Sequence, residues 1–112
     1  MKKKPAKSAF QKAVENTPEI ANCFQVGLRA MGSYSQLVSV KNTSLLCGSV
    51  ELDACVEPLY PQDNRWDFLI CYDGKIYFIE VHSAYTGEVS TVIKKLKWLK
   101  LWLNEKAPEI VK

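Results

Sequence analysis

No run in this sequence approaches the ~18 consecutive apolar residues that a membrane-crossing helix requires, so no such helix organises the chain. The lysine-rich start, Met1 to Lys7, is not followed by the unbroken apolar stretch of a secretory leader, and the chain reads as soluble and cytoplasmic. Cys-x-x-Cys is also missing. Cys23, Cys47, Cys55 and Cys71 lie too far apart to seed a zinc ribbon or a dithiol redox motif, and are expected as reduced, mostly buried thiols. Internal repeats and low-complexity segments are absent, and histidine occurs once. A strong charge of one sign is lacking too. The formal net charge is +3, but four lysines fall within the first seven residues, and without them acids outnumber bases by one. Basicity of that kind belongs to a tail, and whole-chain charge carries little argument for nucleic-acid binding.

What is present is 112 residues, 47% of them apolar and 24% charged, enough for one small core. Residues 1–7 read as a disordered basic tail and 8–112 as a single α/β domain. Ser8 is placed to cap a helix carrying Phe10, Ala13 and Val14 on one side. Thr17-Pro18-Glu19 has the form of a second helix start, and Ile20, Phe24, Leu28 and Met31 follow at helical spacing until Gly32. Leu37, Val38 and Val40 suggest a strand. Val50, Leu52, Ala54 and Val56 alternate with Glu51, Asp53, Cys55 and Glu57, which predicts another strand with one polar face. A loop spans Pro58 to Asn64.

The strongest local signal follows. Trp66 to Tyr72 and Lys75 to His82 are aromatic and β-branched runs on either side of Asp73-Gly74, the mark of an antiparallel hairpin with a tight turn. Both strands are apolar almost throughout, as expected of central strands covered on two faces. A long helix is predicted from about Glu88 to Asn104, with Val89, Val92, Ile93, Leu96, Leu99 and Leu103 in one stripe facing the sheet. Trp98, Leu101 and Trp102 lie off that stripe and suggest a second contact, with the first helices or with another copy of the chain in a homodimer.

Asp67 and Glu80 interrupt the apolar hairpin strands, and an ionised carboxylate there is costly unless it is paired, solvated or bound to a cation. A turn at Asp73-Gly74 places them directly opposite each other on one face, where like charges repel. A divalent cation between them turns that repulsion into ligation, and oxygen-only donors suit magnesium or manganese. His82 projects from the same face as Glu80.

Asp67, then Glu80-Val81-His82 on a hairpin followed by a helix, resembles the PD-(D/E)xK nuclease-like superfamily, over roughly residues 8 to 104. The resemblance implies a restriction-endonuclease-like core, helix then three antiparallel strands then helix, in which a central mixed or antiparallel sheet is flanked by helices. It further implies metal held by Asp67, Glu80 and the Val81 carbonyl, and metal-dependent cleavage of DNA or RNA. Trp66 stands where the motif has proline, and His82 where it has lysine. The expectation is that His82 acts as base or ligand, or that Lys94, Lys95 or Lys97 from the next helix replaces the missing lysine. An accessory acid is expected from Glu15 or Glu19, with Glu51 ranked slightly lower. The competing account is structural: Asp67 pairs with Arg65, Glu80 bonds Tyr34 or Tyr85, and His82 is a neutral core residue. A nuclease fold that has lost its chemistry and serves as a binding or dimerising module is the alternative function.

Overall fold

The computed structural model describes residues 7–81 and 88–112. His82, Tyr85 and most of the basic tail lie outside that range; Lys7, at the tail's end, pairs with Glu15 at 2.6 Å. The fold is mixed α/β, with a three-stranded antiparallel sheet and helices. Helix α1 (Ala9–Glu15) starts as expected, Ser8 accepting a hydrogen bond from the Gln11 amide at 3.0 Å, and buries Phe10 and Val14. Strand β1 (Leu46–Glu51) follows three 3-10 stretches and runs directly into the short helix α2 (Leu52–Val56). Strands β2 (Phe68–Tyr72) and β3 (Lys75–Ile79) form the hairpin, and α3 (Glu88–Glu105) is the long C-terminal helix.

The sheet order is β1-β2-β3. Asp73 and Gly74 both take positive φ, 50° and 73°, the turn geometry that matches the twist of the flanking strands. Pairs run from Tyr72 and Lys75 at the turn to Phe68 and Ile79. Side chains of β2 alternate between two apolar clusters. Leu69 and Cys71 join Val14, Val50 and Leu99 on one face, while Phe68 and Ile70 meet Met31 on the other. Strand β2 is therefore covered on both faces, whereas β3 is an edge strand with Tyr77 exposed.

Several elements depart from the periodicity. The helix expected after Thr17 stops as a 3-10 turn at Pro18–Ile20. Beyond it, Gln25 forms an antiparallel bridge to Ser49, with N···O distances of 2.9 and 2.8 Å, and Gly27 takes a positive φ of 53°, neither of which a continuous helix permits. Val38 and Val40 lie outside any strand among the described residues. The strand expected over Val50 to Val56 turns into a helix at Leu52, because Leu52 and Val56, four apart, are both fully buried on one side of a helical turn. On α3, the stripe expected to cover the sheet is largely outside: Val89, Ile93 and Leu96 are exposed, and Leu99 and Trp102 are the buried residues.

The four cysteines are paired, which corrects the expectation of thiols. Cys47 and Cys71 join β1 to β2 with Cα atoms 5.2 Å apart, and Cys23 ties the bridge segment to Cys55 in α2 with Cα atoms 6.3 Å apart. Adjacent to Cys47, Gly48 sits at a register shift in β1, and a Cβ there would collide with the Phe24 ring.

Alkylation of the unfolded, unreduced protein is expected to find no free thiol, and peptide mapping to recover the 23–55 and 47–71 pairs. The bridges close loops of 32 and 24 residues, so each should contribute about 3–4 kcal/mol, and reduction should lower Tm markedly. Alkylatable thiols in the native protein, or a Tm indifferent to reductant, would contradict these pairings.

Candidate functional site

The register that closes the hairpin continues one step past its last ladder pair and sets Asp67 opposite Glu80. Both lie on the face that carries Leu69, Ile76 and Phe78, the side covered by α3. The Asp67 amide donates to Glu80 Oε1 at 3.2 Å, and the Val81 amide donates to Asp67 Oδ2 at 2.9 Å, so each carboxylate is fastened to the opposite strand's end. Lys95, from α3, completes the group. Its Nζ lies 2.9 Å from Asp67 Oδ1 and also bonds Glu80 Oε2. The three side chains are only 18%, 7% and 17% exposed for Asp67, Glu80 and Lys95.

These charges shift one another. Burial pushes the Glu80 carboxyl above its ordinary value, the hydrogen bond from Lys95 pulls it back, and the Asp67 charge pushes it up again. Burial works against the Lys95 ammonium, but its bonds to Glu80 and Asp67 outweigh that, and its pKa lies above the usual lysine value. Lys95 is thus firmly protonated at neutral pH.

A cavity of about 270 Å³ opens beside the cluster, lined by Tyr34, Glu51, Asp53, Asp67 and Lys95 among others. Glu51 reaches it from the end of β1, where it is registered against Phe68. Asp53 is engaged elsewhere, with Arg65 Nε at 2.8 Å, so Arg65 serves Asp53 and Glu57 at the distances that count as ion pairs. Glu19 is distant in role: it accepts from the Tyr60 hydroxyl at 2.7 Å and from Trp102 Nε1 at 2.9 Å, pinning α3 to the first part of the chain. Burial, the hydrogen bond to Glu19 and its charge push the Tyr60 hydroxyl up to about 12. Glu15 pairs with Lys7. Of the three helix lysines considered, Lys95 joins the carboxylates, while Lys94 and Lys97 are exposed.

The suggested docking face fares differently at each residue. Trp102 is buried; Trp98 is partly buried, stacked on Trp102 at 5.9 Å with its Nε1 bonded to Asp63; Leu101 is exposed. The second contact of Trp98 and Trp102 is with the chain's own first half and with Tyr60 and Asp63. That outcome was among those the sequence pattern allowed.

Among the described residues, no three Asp, Glu, His or Cys side chains stand close enough to hold one metal ion. Two carboxylates nevertheless converge on a single positive charge, and magnesium needs no more than one or two carboxylates when waters and a substrate phosphate complete its shell. The donor chemistry of Asp67 and Glu80 therefore fits such an ion. Comparisons with protein-family models, with curated proteins and with solved structures found no match. No described helix is long and apolar enough to cross a membrane.

Two stability outcomes follow from the cluster. Replacing Lys95 by Met removes the shared cation and leaves two largely buried carboxylates facing each other, which should cost about 3 kcal/mol by chemical denaturation. The folded chain holds the Glu80 proton to higher pH than the unfolded chain does. Its contribution to stability is therefore fullest below the ordinary glutamate value of 4.5 and declines as the pH rises through the folded-state value. Glu80→Gln should accordingly gain stability relative to wild type as the pH rises from below 4.5 through the folded-state value. A difference that is flat or of opposite sign over that range would refute the assignment.

Proposed function

We propose that this chain is a metal-dependent phosphodiesterase acting on nucleic acid, built on a restriction-endonuclease-like core. The observation that carries the reading is the meeting of Asp67, Glu80 and Lys95 across the hairpin end and α3. An element order of α1, β1, β2, β3 and α3, interrupted by α2, agrees with that core. Lys95 takes the place of the lysine that the resemblance puts at position 82, reaching the same point from the following helix instead of from the strand.

Asp67 and Glu80, with the Val81 carbonyl, are the groups that would hold magnesium or manganese. When bound, such an ion lowers the pKa of water and offsets charge on the phosphate. The chain's own contributions are separable from it. Asp67 is held in place by the Val81 amide, and Glu80 by the Asp67 amide, so both oxygens are aimed before any ligand arrives. Lys95, with its raised pKa, is a poor proton acceptor at neutral pH and acts as a fixed positive donor toward phosphate or attacking water. That leaves the role of base to His82, a candidate on sequence grounds only. Lys94 and Lys97 are exposed on α3 and meet phosphates by charge alone.

A second reading is favoured by the exposed stripe Val89, Ile93 and Leu96 with Leu101 on α3: a nuclease-like fold without catalysis, used as a docking or homodimerising module. The location expected from the sequence was the cytoplasm, yet two disulfides favour an oxidising compartment.

Labelled single-stranded and duplex DNA and RNA, incubated with magnesium or manganese, provide the test. Cleavage is expected with the ion and absent in chelator, lost in Asp67→Asn and Glu80→Ala, and reduced at least about a hundredfold in Lys95→Met. Full activity of Lys95→Met would dismiss its assigned role. No metal-dependent cleavage by the intact protein would leave the module reading standing.

A further inference from the structure

The surroundings of the carboxylates differ sharply on their two sides. On one side stands Tyr34, whose ring packs edge-on against Phe68 with centroids 6.1 Å apart and planes at 60°. Phe68 is buried, so this contact fixes the tyrosine ring, yet Tyr34 remains 49% exposed and lines the 270 Å³ cavity together with Asp67 and Lys95. A half-exposed aromatic ring seated at the rim of a charged site offers a face on which a flat partner can stack. On the other side, Glu51 also borders a second, larger cavity of about 540 Å³, lined by Asn22, Gln25 and Arg29. This one is supplied with donors: two amides and a guanidinium, the latter suited to bidentate contact with a phosphate. Glu51 lines both cavities, so the aromatic face beside Asp67 and the guanidinium of Arg29 border neighbouring cavities.

From this arrangement we infer that the substrate is a single-stranded nucleic acid, one unpaired base stacking on Tyr34 while the backbone crosses the Asp67–Glu80 pair and runs toward Arg29. The inference rests on the phosphodiesterase reading and narrows it. In a duplex each base face is already covered by its neighbours and the base edges are paired, so an isolated ring at the rim has no face to meet. An unpaired base presents one, and stacking of that kind tolerates every base. Tyr34 is a substrate-binding residue in this account, with no part in the proton transfers.

Fluorescence anisotropy with the full chain tests it, using a fluorescein-labelled oligodeoxythymidine and a hairpin duplex of matched length, both in calcium so that binding is read apart from cleavage. The oligothymidine is expected to bind about tenfold more tightly than the duplex, with Tyr34→Ala removing most of that margin and leaving duplex binding unchanged. Tyr34→Phe should behave as wild type. Tyr34→Leu, which keeps the apolar contact with Phe68 and so guards against a folding defect, should behave as the alanine variant. Arg29→Ala should weaken both probes alike and flatten the salt dependence. Equal affinity for the two probes, no binding of either, or single-strand binding untouched by Tyr34→Ala and Tyr34→Leu would each overturn the inference. Cleavage that prefers duplex and ignores Tyr34 would do so while sparing the phosphodiesterase reading. Tyr34-dependent binding without any metal-dependent cleavage would do the reverse.

Discussion

Two carboxylates placed face to face at the end of an antiparallel hairpin create a debt that something positive has to settle, and the rest of the structure is arranged around that requirement. Asp67 and Glu80 stand in register because the Asp73-Gly74 turn admits one pairing of β2 with β3. A slip of one residue would put the two acids on opposite faces and would turn either Leu69 or Phe78 out of the core at the same time. Burial of the apolar strand residues thus enforces the proximity of the acids. Lys95 can answer the charge only because α3 is held at a fixed height, by Leu99 in the core and by the Trp102 indole bonded to Glu19. Glu19 therefore matters to the site through the helix it anchors, not through any contact with the carboxylates.

The hairpin was legible in the sequence because all of its determinants are local: the turn pair, the β-branched runs and the opposition of two residues that follows from them. Ser8 and α1 were legible for the same reason. The segments that misled are those where a distant partner decides the conformation. Between Thr17 and Met31 the apolar spacing suits a helix, but Gln25 is claimed by Ser49 and Cys23 by Cys55, and both partners lie far along the chain. Leu52 and Val56 satisfy period two and period four alike, so the alternation that suggested a strand carried no information about which was adopted. The disulfides left no trace in the spacing, since pairing depends on β1 lying beside β2 and on α2 lying beside the bridge segment.

The candidate site shows the same division. Asp67 opposite Glu80 follows from the turn alone, whereas the choice of Lys95 over Lys94 and Lys97 needs the rotation of α3, which its long apolar stripe misreported. With Val89, Ile93 and Leu96 exposed, the helix is turned about Leu99 and Trp102, and that rotation is what brings Lys95 inward. Glu51 was ranked slightly below Glu15 and Glu19 because the resemblance puts the accessory acid on the first helix. Ending β1 at Glu51 places this side chain at the mouth of the carboxylate cavity, while Glu19 is consumed by Tyr60 and Trp102.

Charge balance links the cluster to the proposed function. With the acids ionised and Lys95 protonated, the trio carries one net negative charge, which repels a phosphodiester and attracts a cation. A divalent ion on the same carboxylates would reverse the sign and leave one net positive charge, matched to the single negative charge of a phosphodiester. Were such an ion held there, Lys95 would have to give up one of its two carboxylate bonds, which would free N–H donors to face a phosphate. Under the proposed function the lysine would have two successive partners. It would neutralise the acids while the cleft is empty and become available to phosphate only once another cation relieved it, so that binding of substrate and of metal would reinforce each other through one ammonium group.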